Sequence, residues 1–172
     1  MSARDRTIKH SYEAALTWTG NQGTGTSDYR SYGRSYTVSV AGKPELRGSA
    51  DPAFRGDAAL HNPEDLFVAA IAGCHMLSYL SLCARRGIRV IAYEDRASGV
   101  LTLEGGGGRF TDVELNPVVT VAGGAEGGDA GGADLELAER LHETAHEQCF
   151  IASSVSVPIR CTPTIRTEVT PE

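Results

Sequence analysis

The chain has 172 residues, 41% hydrophobic and 22% charged, a composition that excludes a disordered chain and fits one domain, residues 1–172, with length enough to bury a core. Its net charge of −6 and pI near 5.4 argue against nucleic acid, whose recognition needs a basic face. Met1 to His10 is polar and basic rather than a secretory leader, and no uninterrupted apolar run approaches the roughly 18 residues of a membrane-spanning helix, so the cytosol is the expected compartment.

Tyr12 to Trp18 reads as a strand with Leu16 and Trp18 on one face, followed by the loop Gly20-Asn21-Gln22-Gly23-Thr24-Gly25. Tyr36, Val38 and Val40 alternate in a second strand. Ala41 to Asn62 carries Gly42, Pro44, Gly48, Pro52 and Gly56, and is expected to be one long loop of functional or wrapping character. Asn62-Pro63-Glu64-Asp65 opens a helix: an amide cap, proline at the first helical position, then acids at the positive helix end. The helix runs, apolar almost all round, to Arg85 and Arg86, with Gly87 as terminator, and such a helix belongs in a core or an interface.

Ile88 to Leu103 is β-rich and broken near Ala97-Ser98-Gly99; Gly105 to Gly108 is a turn and Val113 to Val121 the returning strand. Residues 123–132 hold six glycines, a surface loop by composition. Leu137, Leu141, Ala145 and Cys149 form the inward stripe of a second helix, Asp134 to Gln148, and Ser154 to Ile165 is a last strand. The order β-β-α-β-β-α-β indicates α+β, with two helices packed on antiparallel sheet.

Four cysteines with no framework spacing suit a reducing compartment, where a disulfide is transient or catalytic. Cys74 and Cys149 both stand in apolar helical context. They can act as a redox pair only if the fold joins them and a positive group lowers one pKa, because burial alone makes a thiol inert. Cys74 lies about three turns into its helix, beyond the reach of the helix dipole, and His75 points about 100° away from it, which suits packing or an interface. Cys83 falls on the opposite side of the helix from Cys74, and Cys161 has no chemical neighbour in sequence, so both read as structural.

His142-Glu143-Thr144-Ala145-His146 matches the zinc-protease pattern H-E-x-x-H, which puts two imidazoles on one helix face. A third ligand is missing save for Glu168 in a polar tail, so a solvated or interface helix face is the stronger reading, and no metal is expected. The glycine-rich loops do not cradle phosphate, for the first lacks the G-x-x-x-x-G-K-[ST] pattern and the second carries Glu126 and Asp129.

Taken together, Asn62-Pro63-Glu64-Asp65-Leu66-Phe67, Ala72-Gly73-Cys74 and Cys149 with its apolar-serine stretch resemble the OsmC/Ohr family of osmotically inducible and organic hydroperoxide resistance proteins, from about Tyr12 to Ile165. The resemblance implies an intertwined homodimer with an active site at each subunit interface, and a thiol peroxidase that reduces organic hydroperoxides. It makes Cys74 the thiolate attacking the peroxide, Cys149 the resolving thiol and Glu64 the acid that holds a catalytic arginine. It also implies a dithiol or lipoylated-protein reductant and no bound cofactor.

The family's loop arginine is replaced here by Gln22, which cannot stabilise a thiolate by charge. Arg55 is the first replacement and Arg30 the second, with Arg34 also near, each weighed against a solvated surface charge. Phe67 and Ile71 suggest an apolar pocket. Other readings are a protein of the same fold that binds a small apolar or thiol-reactive ligand without turnover, and a zinc hydrolase using His142, Glu143 and His146.

Overall fold

Residues 7–122 and 130–168 are described by the structure, a computed structural model, which divides into the units Met1–Leu66 and Phe67–Glu172. In the first unit, strands β1 (Ala15–Trp18), β2 (Tyr36–Ser39) and β3 (Leu46–Gly48) form an antiparallel sheet that sets Leu16 against Val38 and Val38 against Leu46. A side chain at Gly48 would place its Cβ 2.3 Å from the Tyr36 ring, so glycine leaves room for that ring to lie across the pairing. The expected long loop from Ala41 to Asn62 is thus corrected. It contains β3 and a 3-10 turn, Pro52–Phe54, capped by the Asp51 side chain on the Ala53 amide. Three residues are too few to show a period of two, and the register comes from β2 instead.

Helix α1 (Pro63–Arg85) starts as its first residues demand. Asp65 N–H donates to Asn62 Oδ1 at 2.7 Å and Asn62 N–H donates back to Asp65 Oδ2 at 3.3 Å, a reciprocal cap. It stops at Gly87, whose φ of 75° lets Gly87 N–H reach the Ala84 carbonyl and Ile88 N–H the Cys83 carbonyl. With 23 residues and a mean hydropathy of 1.8 over its most apolar window, α1 is long and apolar enough to cross a membrane by length and composition, which corrects the expectation that no such run exists. Only 28% of that window is buried, on a stripe of Ile71, His75, Tyr79, Leu82 and Cys83, while Leu77 is 65% exposed.

The second unit holds two three-stranded sheets. Strands β4 (Val90–Asp95), β7 (Pro117–Val121) and β9 (Thr164–Thr167) form one; β5 (Ser98–Glu104), β6 (Gly107–Leu115) and β8 (Ile159–Cys161) form the other. β5 and β6 make a hairpin across Gly105 and Gly106, both at positive φ. The expected strand Val113 to Val121 bends at Asn116, so its first part serves one sheet and its second the other, with Pro117 at a strand start where its missing N–H does no harm. The expected last strand is likewise a 3-10 turn (Ala152–Ser154) followed by β8 and β9, separated around Pro163.

The antiparallel pairs β4–β7 and β5–β6 are each joined by a parallel one, β7–β9 and β6–β8. A connection through a helix returns a strand parallel to its partner, and helix α2 (Ala130–Gln148) is that crossover. The fold is α+β with two helices on mixed and antiparallel sheet. α2 begins before the expected Asp134, taking in Gly131 and Gly132, while the expected glycine loop at 123–129 lies outside the described residues. Tyr79, Leu82, Cys83, Ile88, Val119, Val121, Ala138, Leu141 and Ala145 make the larger core, and Ile71, Val113 and Leu115 a smaller one.

Candidate functional site

Cys149 follows the last residue of α2 and is fully buried. The chain folds back over it: Ala152 N–H donates to Cys149 Sγ at 3.4 Å, and both the Ser153 amide and hydroxyl donate to the Cys149 carbonyl, at 2.9 and 3.0 Å. This turn is why an apolar-serine stretch follows the cysteine, since small hydroxylated residues satisfy carbonyls at a helix end. Cys74, half-buried on α1, is the neighbouring thiol, and both are free thiols. Burial and the hydrogen bonding and charge of Cys74 push Cys149 from 9.0 up to about 11, against the opposing pull of the Ala152 amide. The fold therefore brings together two cysteines that stand 75 positions apart.

The remaining expected residues belong to the first unit. Glu64 is half-buried in the first turn of α1, Arg55 is exposed in a left-handed conformation (φ 68°), and Arg30 is exposed, its amide donating to Asp28 Oδ1 at 2.8 Å. Among the described residues none of the three takes part in a salt bridge. Arg34 is committed to its own loop: its guanidinium donates to the Tyr29 carbonyl at 2.6 Å and to the Tyr32 carbonyl, and lies over both rings. Gln22 is exposed.

The expected pocket divides. Ile71 is fully buried core against Val113 and Leu115, which corrects its reading as a pocket residue. Phe67 does line a cleft of about 700 Å³, stacked on Phe110 at 4.6 Å, with Arg109, Thr111 and the segment Ser154 to Pro158 around it.

A second cluster was not foreseen. His75 on α1, His142 on α2 and Cys161 on β8 converge: His75 Nε2 lies 3.0 Å from His142 Nδ1, and Cys161 Sγ lies 3.6 and 3.8 Å from those two nitrogens. Tyr79 stacks on the His142 ring at 3.8 Å. Burial lowers His75 to about 4 and His142 to about 3, with His146 lowering the first further and His75 the second, so both rings are neutral. Burial, and then the charge of Asp95, push Cys161 up to about 12.

The zinc-hydrolase set is corrected by this geometry. The His142 ring turns inward to His75 and Cys161, whereas Glu143 is exposed and Glu168 is exposed beyond β9. No local signal marks Cys161 or its pairing with His75, because the three residues come from separate elements.

The sequence and the fold are those of a known family. The model of the family described as OsmC-like protein matches residues 56–164, and the chain belongs to that family. It is 31% identical to an OsmC-like protein of unknown function from Vibrio cholerae O1 biovar eltor, at a TM-score of 0.78 over 90% of this chain and 99% of that one. It shares its fold with an organic hydroperoxide resistance protein from Elizabethkingia anophelis (TM-score 0.59, 20% identity, 94% and 100% covered) and one from Bacillus subtilis (0.53, 20%, 90% and 98%). No curated protein matches the chain.

Proposed function

We propose that the protein is a thiol peroxidase that reduces organic hydroperoxides by a Cys74–Cys149 cycle. The observation that carries this reading is the juxtaposition of the two thiols in unequal surroundings. Cys74 is the more accessible, and Cys149 is buried and held protonated at neutral pH. The first step needs a thiolate in reach of the peroxide, and the second needs a nearby thiol that does not react first.

In the first step the Cys74 thiolate attacks the O–O bond of ROOH. The bond breaks, the distal oxygen with its hydrogen stays on sulfur as the Cys74 sulfenic acid, and RO− leaves and takes a proton from solvent to become ROH. In the second, the Cys149 sulfur attacks the Cys74 sulfur, an S–S bond forms and the S–OH oxygen leaves as water. An external dithiol, small or carried as a lipoyl group on a protein, then reduces the disulfide and is itself oxidised. Arg55, with Arg30 second, would supply the positive charge beside the Cys74 thiolate, and Glu64 would orient it. Names of relatives as organic hydroperoxide resistance proteins support the substrate class. The Phe67–Phe110 stack in the cleft offers an apolar surface that suits an alkyl group better than hydrogen peroxide. A homodimer would cover the exposed apolar side of α1 that carries Leu77, and a reducing cytosol is the setting in which such a cycle turns over.

Gln22 favours a second reading, in which the fold binds a thiol-reactive or apolar ligand without turnover, because no arginine occupies that loop position. Consumption of cumene hydroperoxide with dithiothreitol or dihydrolipoamide separates the two. Turnover in the wild type that is abolished in Cys74→Ser supports the peroxidase; a wild type no faster than Cys74→Ser supports binding alone.

A further inference from the structure

We infer that His75 Nε2, His142 Nδ1 and Cys161 Sγ form a zinc site in the core of the second unit, separate from the Cys74–Cys149 pair. Donor atoms around a tetrahedral zinc ion, at its usual bond lengths, stand about 3.3 Å apart for two nitrogens and about 3.6 Å for nitrogen and sulfur. The three separations here are 3.0, 3.6 and 3.8 Å, so the triangle already has the dimensions of three ligands around one ion. The donors are of the right kind: imidazole nitrogen and cysteine sulfur are zinc ligands, and three of them leave the fourth tetrahedral position open to a water.

Burial fits a structural role. His75 is 1% and His142 3% exposed, and the three ligands sit on α1, α2 and β8, so one ion would tie both helices to a sheet. Tyr79, stacked on His142, fixes the ring plane. Charge also balances. Binding displaces the Cys161 S–H proton to solvent, and one thiolate leaves a single positive charge on a divalent ion. Asp95, whose Oδ2 is buried without a partner and whose charge acts on the Cys161 thiol, supplies a second negative charge nearby. The site differs from the H-E-x-x-H pattern: it uses neither Glu143 nor His146, and it has no place for a general base.

Because the cluster is buried, the ion enters during folding, and the test loads it in the cell. The full chain is expressed in zinc-supplemented medium, and separately in cobalt-supplemented medium, as wild type, Cys161→Ser and Cys74→Ser/Cys149→Ser. The expected result is about one ion per chain retained through chelator dialysis, and a thiolate-to-cobalt charge-transfer band. Both persist in the Cys74→Ser/Cys149→Ser protein and are lost in Cys161→Ser, with a weakening beyond the roughly 10–100-fold that loss of an outer-shell partner costs. X-ray absorption of the wild type, which needs no folded variant, should count one sulfur and two imidazole nitrogens. Metal-free protein from both media, a count of two sulfurs, or binding that disappears only when Cys74 and Cys149 are replaced would each overturn the site.

Discussion

Ala152 donates its amide N–H to the Cys149 sulfur at 3.4 Å, yet that thiol is held in its protonated form up to about pH 11. One amide donor does not offset burial together with the adjacent Cys74. At pH 8 iodoacetamide is therefore expected to modify Cys74 well before Cys149, with Cys149 labelling rising only as pH climbs toward 11. Peptide mass spectrometry reads the order directly, and Cys149 labelled first at pH 8 would refute it. The sign for stability follows. The native thiol keeps its proton above the ordinary value of 9.0, so its contribution is complete below pH 9 and is lost as pH rises to about 11. Cys149→Ser should flatten that part of the alkaline unfolding curve.

Removing the resolving thiol should trap the first oxidised product. In Cys149→Ser, one equivalent of cumene hydroperoxide is expected to leave a dimedone-reactive sulfenic acid on Cys74, where the wild type yields an internal disulfide. A dimedone adduct absent from Cys149→Ser, with peroxide unconsumed, would count against Cys74 as the attacking sulfur.

The arginine assignment makes a graded prediction. Removing the positive charge that would stabilise the attacking thiolate in the transition state should lower kcat/KM for cumene hydroperoxide by about tenfold or more in Arg55→Ala, and by less in Arg30→Ala. Steady-state kinetics on both, with circular dichroism to confirm folding, tests the order. Unchanged kcat/KM in both would leave the thiolate without its proposed partner.

Two stability measurements test the packing. Asn62→Ala removes the acceptor for the Asp65 amide and should cost about 1 kcal/mol. Ile71→Ala opens a cavity against Val113 and Leu115 and should cost about 2–5 kcal/mol. Urea unfolding followed by circular dichroism gives both, and an Ile71→Ala protein as stable as the wild type would contradict the core described for that residue.

What could be read from the chain beforehand was whatever is local. Asn62 with Pro63 announces the start of α1 because a cap and its helix are adjacent, and Gly87 announces its end for the same reason. The cysteine pair was legible only through the motif around each member. Elements whose geometry comes from a distant partner were not legible: β3, β8 and β9 are three or four residues long and take their register from β2, β6 and β7. His75, His142 and Cys161 fall in the same class. The H-E-x-x-H spacing directs attention from His142 toward His146, its neighbour along the helix, while the side chain within 3.0 Å of His142 comes from α1.

The two parallel pairings govern the order in which the second unit can be completed during synthesis. Leu115 waits for Cys161, and Val119 for Ile165, each 46 positions later, so neither central strand gains its outer partner until almost the whole chain has left the ribosome. Until then β6 and β7 each present an open backbone edge, the kind of surface to which another nascent chain can add a strand. A stop codon just before Ile159 would make that exposure permanent, although α1, α2 and both motif cysteines would already have been made.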